Sequence, residues 1–131
     1  MGGSENDIYY DETTGRVWKR NRIDVMHVSW GQFFDRMVLH NAHFPEAPVR
    51  LEGFVDSDYG FCPVFTQPDV HAARGARRDE VEPMMQDRGY TRKSCDNYRN
   101  DRLHVEDLHD GNVLVDEDGE LHVIDPVMFA I

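Results

Sequence analysis

Three polar residues near the carboxyl end of the sequence have types and a spacing that suit phosphoryl transfer. Asp107 and Asn112 lie five positions apart and precede a short apolar run, and Asp125 ends a second apolar run. An Asp-Gly turn separates the two runs, which is a strong signal for a β-hairpin. Pairing of the two strands would bring Asn112 and Asp125 close together at one open end of that hairpin.

Amide and carboxylate oxygens at such a position suit Mg²⁺, which prefers hard oxygen ligands and retains several waters. Asp107 would then remain to accept the proton of an attacking hydroxyl group. Phosphoryl transfer depends chiefly on positioning the reactants and on positive charge that offsets the developing negative charge. The sequence therefore predicts a magnesium site at Asn112 and Asp125, beside a catalytic base at Asp107.

The segment from Asp107 to Asn112 matches the kinase pattern D-L-x-x-x-N. Together with the Ile-Asp-Pro sequence at 124–126, it resembles the protein-kinase-like superfamily. The sequence of this motif is closer to those of aminoglycoside phosphotransferases and lipopolysaccharide-type kinases than to those of eukaryotic protein kinases. The chain looks most like the compact kinase-like domains found in polyvalent proteins of phages and conjugative elements. The motif covers 105–126, whereas over 8–90 the resemblance lies in the order of elements.

This resemblance implies a role for each matching residue. Asp107 would be the catalytic base, Asn112 and Asp125 would hold Mg²⁺, and Lys19 would contact the phosphates of ATP. The adenine would meet a hinge over 65–68, formed by Phe65, Thr66, Gln67 and Pro68. The partners implied are a nucleotide and an unidentified hydroxyl acceptor or protein partner.

The sequence also departs from the family pattern. Val105 stands where protein kinases have the histidine of the catalytic loop, and Pro126 follows Asp125 where they have Phe-Gly. No glycine-rich loop precedes Lys19, and the first helix offers Asp35 where the family uses a glutamate to hold the lysine. No activation segment follows Asp125, so we expect either a minimal domain or a piece of a longer protein.

The elements that must position these residues predict an α+β fold. We expect a minimal kinase-like arrangement, in which an antiparallel sheet packs on one main helix, with a small helix and a carboxyl-terminal catalytic hairpin. The main helix is predicted over 29–40, because Ser29 and Gln32 form a capping box and apolar residues recur on one face. The other predicted segments are strands at 8–10, 16–19, 49–56 and 61–67, a helix from Asp79 with Glu82 as its capping partner and Gly89 as its stop, a loop at 91–102, and hairpin strands at 113–115 and 121–124.

Composition narrows the class of protein. The 131 residues carry a formal net charge of −11, which disfavours nucleic-acid binding because phosphate backbones repel an acidic surface. No run approaches the roughly 20 apolar residues of a membrane span, and no signal peptide is evident. Cys62 and Cys95 form no zinc-binding pair. We therefore expect a cytoplasmic protein with a frayed tail at 1–7 and one domain at 8–131.

Two other functions fit parts of the pattern. A catalytically inactive kinase-like module could bind a nucleotide or another protein, which the missing glycine-rich loop favours. A metal-dependent hydrolase could use Asp107, His109 and Asp125. A calcium loop at 116–119 is disfavoured, because its glycine is misplaced for an EF-hand and apolar strands flank it.

Overall fold

The computed structural model describes residues 6–21, 29–58 and 60–131. The expected tail at 1–7 falls mostly outside these ranges, but Asn6 and Asp7 belong to the first strand. Asp7 accepts hydrogen bonds from the guanidinium group of Arg20 on the neighbouring strand. The first strand therefore begins within the segment that the sequence assigned to the tail.

Four antiparallel strands form the first sheet, in the order β1-β2-β4-β3. The predicted hairpin at the start of the chain is confirmed, and Gly15 closes its turn with a φ of +67°. The predicted strands at 49–56 and 61–67 are confirmed to within one residue at each end. The strands are β1 (Asn6–Asp11), β2 (Arg16–Asn21), β3 (Arg50–Ser57) and β4 (Gly60–Pro68).

The main helix, α1 (Trp30–His43), begins as the sequence predicts. The Ser29 hydroxyl accepts a hydrogen bond from the Gln32 backbone at 3.1 Å, and the Gln32 side chain accepts one from the Ser29 backbone at 2.9 Å. Phe33 is buried and packs against Phe65 of β4 with ring centroids 6.0 Å apart. Trp30 and Val38 stay exposed, so the apolar face of α1 is only partly core.

The second helix, α2 (Arg78–Asp87), corrects one prediction and confirms another. Its N-cap is Arg77, whose backbone amide donates to the Glu80 carboxylate at 3.0 Å, so the predicted capping pair of Asp79 and Glu82 is wrong. The acidic residue that caps the start of this helix is Glu80, three positions after Arg77. Gly89 ends the helix as predicted, with a φ of +89°.

The predicted loop at 91–102 is wrong, because this segment contributes two strands to a second sheet. These strands are short and polar, and Tyr98 is their one buried side chain. An alternation of apolar and polar residues could not reveal them, since all four side chains of the first strand are exposed. The sheet has the order β11-β8-β7-β6, with β6 (Thr91–Ser94), β7 (Asn97–Arg99), β8 (Leu103–Glu106) and β11 (Val127–Ala130).

The predicted terminal hairpin is confirmed in a third sheet, of order β10-β9-β5. In its turn, one Asp116 oxygen accepts the amides of Asp118 and Glu120, and the other lies 2.8 Å from His122 Nε2. Gly119 completes the turn with a φ of +83°. The strands are β5 (Arg74–Gly75), β9 (Val113–Val115) and β10 (Leu121–Val123).

The main core lies where α2 packs against the second and third sheets. It contains residues from both, and Leu108 anchors the loop between β8 and β9 to it. The architecture is α+β with antiparallel sheets, and the described residues contain two helices. Within the described ranges, neither helix has the length and apolarity needed to cross a bilayer.

Candidate functional site

The loop that connects β8 to β9 carries Asp107 and is fixed at its entrance. The Asp107 amide donates to Asn97 Oδ1 at 3.1 Å, and the amide of the buried Leu108 donates to the Asp96 carbonyl at 3.0 Å. Asp107 has a φ of +69°, in the left-handed region that few residues other than glycine adopt. Its side chain is exposed, so the loop presents a carboxylate to solvent from a firmly held backbone.

Asn112 closes the same loop with its side chain. Its Nδ2 donates to the Asp107 carbonyl at 2.8 Å and lies 3.3 Å from Asp107 Oδ2. Its own backbone amide donates to the His109 carbonyl at 2.9 Å. Because Nδ2 is engaged within the loop, Oδ1 is the atom of Asn112 that remains to bind another group.

His109 stands beside the Asp107 carboxylate. Its Nδ1 accepts a hydrogen bond from the Gly111 amide at 2.9 Å, and its Nε2 lies 3.2 Å from Asn112 Nδ2. That Nε2 is 3.7 Å from Asp107 Oδ1. A Cβ at Gly111 would lie 2.9 Å from the His109 ring, so this ring position requires glycine at 111.

Strand β5 packs against the loop between β8 and β9. A Cβ on Gly75 would lie 2.2 Å from the Asp110 carbonyl oxygen, closer than any real contact. The backbone of β5 therefore packs directly against the backbone of the loop. Sequence reasoning missed Gly75, since a glycine in so short a strand gives no pattern.

Lys19 is buried on β2, and its amine donates to Gln67 Oε1 on β4 at 2.8 Å. Gln67 is also buried, and its Nε2 donates to the Ile124 carbonyl at 2.6 Å and to the Ala47 carbonyl at 3.1 Å. Burial lowers the pKa of the Lys19 amine, and the negative charge of Asp125 opposes that shift. The side chain of Gln67 thus joins the first sheet to the end of the terminal hairpin.

A cavity of about 530 Å³ separates the first sheet from that hairpin. Lys19, Gln67, Asn112 and Asp125 all line it, and the Ile124 amide donates to the Asn112 carbonyl at 2.9 Å. Pro68 at the end of β4 and the segment 69–72 that follows it form another wall. The volume lies within the ~300–1,000 Å³ typical of small-molecule sites.

The remaining predicted residues lie outside the lining of this cavity. Phe65 faces α1, and Thr66 lies on the other face of β4, where its hydroxyl donates to Glu52 at 2.6 Å and accepts from Arg16 at 2.9 Å. Asp107 lies next to the cavity through its bonds to Asn112. Asp35 is exposed and lines a separate groove between α1 and β11.

Among the described residues, no group of three or more His, Cys, Asp or Glu side chains is placed to hold a metal. The set Asp107, His109 and Asp125, which the hydrolase hypothesis requires, does not form such a group. The candidate magnesium ligands are the amide of Asn112 and the carboxylate of Asp125. They number two and include an asparagine, so they differ from a group of that composition.

The molecule is thus an α+β protein in which a buried lysine, an asparagine and an aspartate from two sheets converge on one cavity. A family model described as a serine/threonine/tyrosine kinase found in polyvalent proteins matches residues 1–130, and the chain belongs to this family. The resemblance inferred from the sequence is therefore confirmed. No curated protein and no solved structure gave a significant match.

Proposed function

We propose that the protein is an ATP- and Mg²⁺-dependent phosphotransferase that acts on a hydroxyl acceptor, built on a minimal kinase-like fold. The observation that carries this proposal is the convergence of Lys19, Asn112 and Asp125 on one cavity. The family membership supports kinase chemistry at the level of the reaction class.

The cavity lining combines polar and apolar side chains, which suits a nucleotide. Lys19 supplies a positive charge to which the phosphates would bind. Apolar surface for the base comes from Ile8, Val17, Val70 and Leu114. In this proposal the adenine lies against 68–72, so the hinge shifts from the predicted 65–68 to this segment.

The oxygen donors fit a hard divalent cation. Asn112 Oδ1 and the Asp125 carboxylate would hold Mg²⁺, because Nδ2 of Asn112 is already bonded to Asp107. When bound, Mg²⁺ supplies charge that stabilises the phosphate oxygens during transfer. Since the donors number only two, phosphate oxygens and water would complete the coordination.

Asp107 would orient the acceptor hydroxyl and accept its proton. The hydroxyl oxygen forms a bond to the γ-phosphorus of ATP while the bond between that phosphorus and the bridging oxygen of ADP breaks. The proton passes to the Asp107 carboxylate and then to solvent. The exposure of Asp107 leaves room for an acceptor as large as a protein side chain.

The test is ATP turnover by the purified chain with Mg²⁺, measured as ADP release and as phosphate incorporation into the protein itself. We expect activity in the wild-type chain and its loss in Asp125→Ala. Asp118→Ala, in the exposed hairpin turn, serves as the matched control and should retain activity. Equal turnover in wild type and Asp125→Ala would exclude the proposed phosphotransferase.

One observation favours a second candidate, an inactive module that binds a nucleotide or a protein. The turn between β1 and β2 carries Asp11 and Glu12 where kinases have a glycine-rich phosphate loop. The Thr14 hydroxyl holds the pKa of Asp11 below its usual value, so this turn stays negative and would repel phosphates. Thermal stabilisation by Mg-ATP without ADP release would support the inactive nucleotide-binding module.

A further inference from the structure

The side-chain amide of Gln67 is occupied by contacts within the protein. Both hydrogens of Nε2 are directed to main-chain carbonyls, those of Ile124 and Ala47, and Oε1 accepts from Lys19. Gln67 is only 2% exposed. An amide with both donors engaged has little capacity left to recognise a base.

The first helix does not supply a partner for Lys19. Its acidic residue, Asp35, is exposed and lines the groove between α1 and β11. Its buried histidine, His40, lies 2.7 Å from the Ala47 carbonyl instead. Within the described ranges, no carboxylate forms an ion pair with Lys19.

We propose that Gln67 is the positioning residue for Lys19, and that it anchors the lysine from strand β4 in place of a carboxylate from helix α1. This inference rests on the proposed function and reassigns Gln67 from adenine contact to lysine anchor. A neutral amide holds the amine without adding a negative charge, so the protonated amine can still attract a phosphate. The bond from Gln67 to the Ile124 carbonyl also fixes the lysine relative to the neighbouring Asp125.

A double-mutant cycle tests whether Gln67 acts through Lys19. We expect Gln67→Met to weaken Mg-ATP binding about tenfold, because a hydrogen bond to a charged group is lost. In a Lys19→Met background, the same change should have an effect of less than about twofold, since residues that act together are not additive. Binding would be measured by calorimetry on the full chain.

Adenosine, which lacks phosphates, separates the two roles of Gln67. A lysine anchor predicts that Gln67→Met leaves adenosine binding unchanged while Mg-ATP binding weakens. A direct adenine contact predicts that both ligands weaken equally, with the loss persisting in the Lys19→Met background. That second result would overturn the inference and leave the proposed function intact.

A measurement without nucleotide keeps the test independent of the proposed function. The chain has only two lysines, Lys19 and the exposed Lys93, so brief acylation followed by peptide mass spectrometry reports each amine separately. We expect Lys19 to react several-fold faster in Gln67→Met, with Lys93 unchanged. Gln67→Glu retains an acceptor for the amine and should keep Lys19 as slow as in wild type. Gln67→Leu, which also lacks the acceptor, replaces the methionine variant if that protein fails to fold.

The outcomes of the two measurements are distinguishable. If the wild-type chain binds no Mg-ATP but Lys19 is acylated faster in Gln67→Met, the proposed function fails and the contact between Gln67 and Lys19 is supported as a structural feature. If Lys19 reacts at the same rate in wild type and in a folded variant that lacks the acceptor, the anchor itself is excluded whatever the nucleotide does.

Discussion

Asn112 donates its side-chain amide to the backbone carbonyl of Asp107 at 2.8 Å, across the six-residue loop between β8 and β9. One residue therefore holds the loop in shape and also lines the cavity. The same bond keeps the Asp107 carboxylate beside that cavity. Asn112 thus combines a structural role with a proposed ligand role.

Replacing Asn112 with aspartate should separate these roles. Asn112→Asp removes the donor and places a carboxylate against the Asp107 carbonyl, which we expect to lower the free energy of unfolding by about 1–3 kcal/mol. Phosphotransfer should fall even though a metal-binding oxygen is kept. The measurements are urea unfolding and ADP release.

Asn100→Asp is the matched control for that change. Asn100 uses only Oδ1, which accepts the amides of Arg102 and Leu103 at 2.8 Å each. A carboxylate can accept both bonds, so stability should change little. A loss as large as that of Asn112→Asp would show that the amide hydrogens of Asn112 are not the cause.

Removing the charge of Asp107 should affect catalysis alone. Its carboxylate is exposed, so Asp107→Asn should leave unfolding nearly unchanged while lowering turnover by about 10²-fold or more, as expected for a general base. Asp110→Asn, on the same loop and at a more exposed side chain, should retain turnover. Similar rates in the two variants would argue that Asp107 is not the base.

A methyl group at position 75 should disturb the loop between β8 and β9. Gly75→Ala would place Cβ 2.2 Å from the Asp110 carbonyl, so the loop or β5 must move. We expect destabilisation of about 1–3 kcal/mol from this overpacking, together with weaker Mg-ATP binding. Thermal unfolding and calorimetry measure the two effects.

Gly31→Ala is the control for Gly75→Ala. Gly31 lies in the first turn of α1, and its nearest neighbour would be the Ser29 hydroxyl at 3.8 Å. Alanine favours the helix over glycine by up to about 1 kcal/mol, so this variant should be as stable as wild type or more so. If both alanines have the same effect, the close approach of β5 to the loop is not what requires glycine.

The buried His40 should make stability depend on pH. Burial lowers the pKa of His40 below its ordinary value of 6.5, against the opposing effects of its bond to Ala47 and the charge of Asp125. The unfolded chain therefore takes up this proton at a higher pH than the folded chain. The contribution of the neutral ring to stability is complete above pH 6.5 and is lost as the pH falls through the folded pKa.

Urea unfolding between pH 7.5 and about 5 measures this dependence. His40→Gln retains a donor for the Ala47 carbonyl but cannot titrate, so its unfolding free energy should fall less steeply with acid than that of wild type. The exposed His43 provides the control, and His43→Gln should follow the wild-type slope. Equal slopes in all three proteins would show that the pH dependence of stability arises from groups other than His40.

The sequence predicted those parts of the fold that depend on local chemistry. The Ser29 capping box and the Asp-Gly turn of the terminal hairpin act within a few residues, and both are present. The second sheet was missed because β6 and β7 lie near one surface and bury little besides Tyr98. Their pairing depends on β8, which comes later in the chain.

The candidate site likewise has parts that the local sequence predicts and parts that it does not. Asn112 and Asp125 could be placed near one cavity because a single hairpin relates them. The bond from Lys19 to Gln67 joins residues 48 positions apart, and no local pattern encodes it. The exposed position of Asp35 likewise depends on how α1 packs against the first sheet, which the spacing of apolar residues left open.

The bonds of Gln67 have an evolutionary consequence. Two of its three partners are main-chain oxygens, at Ala47 and Ile124, and every amino acid supplies such an oxygen. Relatives can therefore diverge at position 124 and keep the junction between sheet and hairpin. Positions 19 and 67, in contrast, meet through their side chains, so a lasting change at one should be accompanied by a compensating change at the other.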